Sequence, residues 1–93
     1  MNLSEEQLKR IEELAYRTIT VRMIANAVDV DEIELLDEVS TPGTPARKAV
    51  MTGICNQMVE TREAIIKAAR NGSNPAQSSL LEFLEKQIYT MDK

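Results

Sequence analysis

Cys55 is the chain's one cysteine, and histidine is absent. Ser-His-Asp and Cys-His arrangements take their general base from histidine, so neither can be built here. Zinc sites made from His or several Cys are excluded with them. The carboxylates cluster as neighbours, at Glu5/Glu6, Glu12/Glu13 and Asp37/Glu38. Adjacent residues on a helix diverge, so these read as solvated faces rather than acid/base pairs. Gly43, Gly53 and Gly72 are too scattered to form a phosphate-cradling loop. The expectation is a protein that is not an enzyme and uses no metal or cofactor. Cys55 falls on an apolar stripe with Met51 and Val59 and is expected as a buried structural thiol. A lone cysteine forms no internal disulfide, which suits a reducing cytoplasm.

The remaining chemistry is that of charge. The chain carries 11 basic and 15 acidic side chains, net −4, so it is no general polyanion binder. Residues 1–39 hold ten acids and four bases, whereas residues 40–93 hold five acids and seven bases. The stretch Asp31-Glu32-Ile33-Glu34-Leu35-Leu36-Asp37-Glu38 has five acids and no base. Duplex DNA is a line of negative charge, and basic side chains that displace its counterions supply most of the affinity. This stretch should therefore be repelled by DNA. Asp31, Glu32 and Glu34 are explained by the preference of a helix N-terminus for acids. Glu34, Asp37 and Glu38 are candidates for a face that docks a basic protein partner. For DNA the candidates are Arg17, Arg22, Arg47 and Lys48.

The elements that must position these residues are helices. Aromatics are 3% of the chain and Trp is absent, whereas Ala, Leu, Ile, Met, Glu and Lys are frequent. That composition favours helix over sheet. Ser4 with Gln7 fits a capping box and Leu3 with Leu8 a hydrophobic staple, opening a helix from about Glu5 to Tyr16. Its buried stripe is Leu8, Ile11, Leu14 and Ala15. Thr20 caps a short second helix, Val21 to Ala27, which buries Val21, Ile24 and Ala25. Val28-Asp29-Val30-Asp31 is a tight break with Asp29 in a left-handed position. Asp31 and Glu34 fit a second capping box. They open a third helix to about Val39, with Ile33, Leu36 and Val39 inward and Leu35 at the edge.

Residues 40–45, Ser40-Thr41-Pro42-Gly43-Thr44-Pro45, form the one linker, and Thr44-Pro45 restarts a helix. The fourth helix runs from about Pro45 to Arg70 with a broad apolar stripe. Asn71-Gly72 ends it as a left-handed cap. Asn74-Pro75-Ala76-Gln77 caps and starts a fifth helix, and so short a connection implies an antiparallel hairpin. The fold class is therefore all-α. Residues 1–39 form a trihelical, helix-turn-helix-like unit, and residues 46–93 form a long-helix hairpin.

A 93-residue chain hides only about 60–65% of its unfolded surface, so self-association is expected. The apolar stripes of the hairpin are wider than one helix partner needs, so the surplus must be covered by the N-terminal unit or by another subunit. Val50, Ile54, Met58, Ile65, Leu80, Leu84 and Ile88 are the candidates for an interface between copies. No basic patch followed by an apolar run opens the chain, so no signal peptide is expected. No run approaches the ~18 apolar residues of a membrane span.

This order of parts resembles the small terminase subunits of tailed phages and prophages. The stretch Thr61 to Leu81 carries most of the resemblance. Its Ala68-Ala69-Arg70-Asn71-Gly72-Ser73-Asn74-Pro75-Ala76 is similar to the family's helix ending, followed by Pro-Ala and an apolar helix. The opening Leu3-Ser4-Glu5-Glu6-Gln7 and the stretch Ile24 to Val30 also look like its N-terminal region. The resemblance spans most of residues 3–89. It implies a non-catalytic packaging subunit in the host cytoplasm. Such a subunit forms a ring, helps select viral double-stranded DNA and regulates a large terminase subunit holding the ATPase and nuclease. The acidic third helix departs from a DNA-reading version of the pattern, so DNA binding is expected to be weak per subunit. The other reading is a small all-helical interaction module with an acidic docking face.

Overall fold

The computed structural model describes residues 1–91. Five helices account for most of them: α1 (Glu5–Tyr16), α2 (Val21–Ala27), α3 (Glu32–Ser40), α4 (Pro45–Arg70) and α5 (Asn74–Met91). No strand occurs among the described residues.

Local side-chain chemistry sets where the helices start. Ser4 Oγ accepts from Gln7 N–H at 3.0 Å, and Gln7 Oε1 accepts from Ser4 N–H at 2.9 Å, which completes the capping box. The free end of the same amide reaches the close of α2, where Gln7 Nε2 donates to the Val28 carbonyl at 3.2 Å. Thr20, Asp31 and Thr44 each accept a backbone N–H of the helix that follows. The cap of α5 lies one residue earlier than the sequence suggests. Ser73 Oγ accepts from Ala76 N–H at 3.4 Å, and Asn74 is already helical. Gln77 Nε2 donates to the Ala69 carbonyl at 3.0 Å.

Three helices end in one motif. In α1 the N–H of Thr18 bonds the Ala15 carbonyl and that of Ile19 bonds Leu14. In α2 the donors are Asp29 and Val30, and in α4 they are Gly72 and Ser73. This is the Schellman closure, which requires a left-handed residue after the cap. Thr18, Asp29 and Gly72 fill that place with φ of 66°, 59° and 95°. Asp29 was legible from the sequence. Thr18 was not, because a β-branched residue is disfavoured there by about 1–2 kcal/mol. The apolar residues that follow, Ile19 and Val30, both pack against the core.

The chain forms two compact units, Met1–Gln57 and the residues from Met58 onward. The division falls inside α4. In the first unit Ile11, Leu14 and Ala15 of α1 pack with Ile24, Ala25 and Val28. Leu35 of α3 and Ala46, Ala49 and Val50 of α4 complete this core. Here α3 departs from its expected register. Leu35 is fully buried, Leu36 and Val39 are half-buried, and Ile33 is 76% exposed. Ile33, Leu35, Leu36 and Val39 make two overlapping stripes on so short a helix. The turn at Asp29–Val30 fixes the rotation that chooses between them.

The α4 register differs as well. Cys55 is exposed rather than buried, as are Met51 and Val59. The covered side of α4 in this unit is mostly small, Ala46, Ala49 and Gly53, with Val50 the one large residue of the expected stripe that is buried there. A Cβ on Gly53 would sit 2.8 Å from Tyr16 N and 2.9 Å from Ala15 Cβ and would meet the Glu12 carbonyl oxygen. The glycine is what lets α1 come this close. Gln57 Nε2 donates to the Tyr16 carbonyl at 2.9 Å one turn further on.

In the second unit Ala69 is the one described residue that is buried, at 7% exposure. Ile65, Ile66, Leu80 and Phe83 are half-buried. Arg62 lies over the Phe83 ring with its Cζ 4.1 Å from the centroid. No residue of α5 is fully buried.

Candidate functional surfaces

The four cations proposed for DNA occupy different settings in the first unit. Arg17 is the C-cap of α1, and its Nη1 donates to the Glu13 carbonyl at 3.2 Å. Arg22, on α2, holds Glu32 at 3.3 Å from Nε to Oε1, and both side chains are exposed. Arg47 is half-buried, and its Nη1 donates to the Val39 carbonyl at 2.8 Å. A guanidinium there satisfies a carbonyl in the last turn of α3 and complements that end of the helix dipole. Lys48 is exposed.

These residues line different depressions. Arg47 and Lys48 line a shallow one with Gly43, Thr44 and Met51. Lys48 also lines a second, with Lys9 and Glu12 of α1. Nothing in the sequence pointed to Lys9, because only the packing of α1 on α4 brings it near Lys48. Arg22 lines a separate open groove of about 520 Å³ with Leu14, Ile19, Met23 and Glu32.

The acids of α3 are also divided. The Asp31 carboxylate accepts from Glu34 N–H at 3.0 Å and so serves the helix start. Glu32 is held by Arg22. Glu38 is half-buried and pairs with the Met1 ammonium at 3.4 Å. Glu34 and Asp37 remain on the exposed side. Thus Glu34 and Asp37 present charge to solvent, whereas Glu38 holds the chain start against α3.

The apolar candidates separate by burial. Val50 belongs to the core of the first unit. It is 5% exposed and is thereby unavailable to a second copy. Ile65 and Leu80 are half-buried. Ile54, Met58, Leu84 and Ile88 are large exposed hydrophobics, and Leu81 and Met91 join them.

Among the described residues no charged or polar side chain is buried. No group of three or more His, Cys, Asp or Glu among them could hold a metal ion. No described helix is long and apolar enough to cross a membrane. What the arrangement offers is surface: paired and unpaired charges on the first unit and unsheltered apolar side chains on α4 and α5. No protein-family model, curated protein or solved structure matches the chain.

Proposed function

We propose that the chain is a non-catalytic DNA-packaging subunit of the small-terminase kind, located in the host-cell cytoplasm. It self-associates, holds duplex DNA weakly through each copy and regulates a large ATPase-nuclease subunit. In this reading α1–α3 act as a helix-turn-helix-like unit, and α4 with α5 as the antiparallel hairpin that assembles. The observation that carries it is the exposure of Ile54, Met58, Leu84 and Ile88 on those two helices. Exposed apolar side chains in such numbers mark surfaces that meet another protein. Assembly also answers the weakness of the DNA contacts, because copies held together sum feeble interactions by avidity.

Two measurements test it. Light scattering after gel filtration should give a mass several times 10.4 kDa. A clean monomer at micromolar concentration sinks the reading. Changing Arg17, Arg22 and Lys48 together to Ala should weaken DNA binding and flatten its salt dependence. The log–log slope should fall by about one for each cation that no longer neutralises a phosphate. Arg47 is left in place because it holds the end of α3. Binding that keeps its strength and slope would put the DNA face elsewhere.

One observation favours the second reading, an interaction module that docks a basic protein. Glu34 and Asp37 are exposed acids, whereas Arg22 and Arg47 are engaged within the chain.

A further inference from the structure

The first unit has an unsheltered apolar surface of its own, where α1, α2 and the start of α3 meet. It is the groove of about 520 Å³ that Arg22 lines, and its apolar lining is Leu14, Ile19, Met23 and Ala27. Leu14 belongs to the core beneath, whereas Met23 is 60% exposed. Mainly apolar clefts of about 300–1,000 Å³ are the size that binding sites take. The charges in the lining cancel, because Arg22 on α2 and Glu32 on α3 hold each other at 3.3 Å.

The surroundings of the groove are one-sided in charge. From Met23 to Ala46 the chain has six acids and no base. Asp29 and Asp31, both exposed, lie between the lining residues Ala27 and Glu32. The bases of α1 have other partners or places. Lys9 lines the depression toward α4, Arg10 pairs with Glu13 at 3.6 Å, and Arg17 donates to the Glu13 carbonyl. Duplex DNA would bring phosphates against the acids. A second copy is net −4 and would meet like charge as well. A cationic partner is attracted where those two are repelled.

The backbone form of the partner follows from the fold. No strand occurs among the described residues, so they offer no sheet edge for an extended peptide to join. A groove between helices takes the apolar face of an amphipathic helix, through anchors three and four residues apart.

We propose that this groove receives one amphipathic helix of a basic protein. Its apolar face sits on Ile19 and Met23, and its Lys or Arg flank lies along the acids that follow α2. This rests on the interaction-module reading given above and gives that reading a site other than Glu34 and Asp37.

The test uses two labelled peptides of about 14 residues, four helical turns. One is made of Leu and Lys, the other of Leu and Glu in the same amphipathic order. Fluorescence anisotropy follows their binding to the full chain at low and high salt. The Leu/Lys peptide should bind, more weakly as salt rises, and the Leu/Glu peptide at least about tenfold less tightly. Met23→Ala should weaken Leu/Lys binding at least about fivefold, as loss of a central anchor does. Ile88→Ala, an exposed residue of the second unit, should leave it unchanged.

The two halves of the ion pair should act in opposite directions. Arg22→Gln leaves Glu32 unpaired and should tighten Leu/Lys binding, whereas Glu32→Gln leaves Arg22 unpaired and should loosen it. A loss of folding would weaken both, so opposite signs belong to the groove. Binding that ignores Met23, Arg22 and Glu32 but falls in Glu34→Gln/Asp37→Asn would overturn the groove and leave the acidic docking face standing. A loss confined to Ile88→Ala would put the peptide on α5 and overturn the groove too. No binding of the Leu/Lys peptide at low salt would overturn both the groove and the reading it rests on.

Discussion

Two arginines show how little a residue's type says about its role. Arg22 and Arg47 look alike in the sequence, as cations near helix starts. One holds an exposed carboxylate and the other a half-buried carbonyl. An exposed ion pair contributes up to about 1 kcal/mol. A charged donor on a sheltered carbonyl contributes about 1.5–3 kcal/mol. Arg47→Ala should therefore lower unfolding free energy in urea by roughly that larger amount, and Arg22→Ala by the smaller. Equal losses would mean that the Val39 hydrogen bond carries no weight. The reverse order is expected in DNA binding, where Arg22 has more freedom to turn toward a phosphate. The capping groups Ser4, Gln7, Thr20, Asp31 and Thr44 were legible because each acts on backbone within its own turn. The hydrogen bonds from Arg47 to Val39 and from Gln7 to Val28 were not, because they join segments that only folding brings together.

At the scale of elements, all five helices are readable from capping residues and period. Their rotation about their own axes was less so. Hydropathy alone turns α4 by its largest apolar residues, whereas in the first unit the helix packs mainly by small ones, with Val50 beside them. Small residues give up buried area but allow backbones to approach, and dispersion contacts multiply at short range. Gly53 is the centre of that approach. Gly53→Ala tests it, because in an exposed helix Ala is better than Gly by about 1 kcal/mol. Here the added methyl meets the α1 backbone, so a net loss of about 1–3 kcal/mol is expected, the usual cost of overpacking. A thermal melt should show a drop of several degrees. A midpoint that stays or rises would mean that α1 and α4 can part without cost. The unexpected register of α3 has a similar origin: its apolar pattern allowed two rotations, and the left-handed Asp29 decided between them.

For the molecule as a whole, the uneven distribution of charge is the feature that bears most on partners. The first 39 residues are net acidic, and the rest of the chain is slightly basic. Replacing Glu34 with Gln and Asp37 with Asn removes the two exposed charges of α3 that neither pair with Arg22 nor hold the chain start. Glu38 is kept because it pairs with Met1. DNA affinity of the variant should stay within about twofold of the intact chain at both low and high salt, since a helix turned away from phosphates contributes little to counterion release. A tenfold gain at low salt alone would place α3 against the duplex. Composition revealed the charge imbalance directly, but only the fold shows that Arg22 and Met1 offset two of the five acids. Cys55 has a practical consequence at this scale. Its sulfur is solvent-facing and is the chain's single thiol. Each copy thus accepts one maleimide dye without any engineered attachment point. The number of photobleaching steps in a single particle then reports directly how many chains it contains.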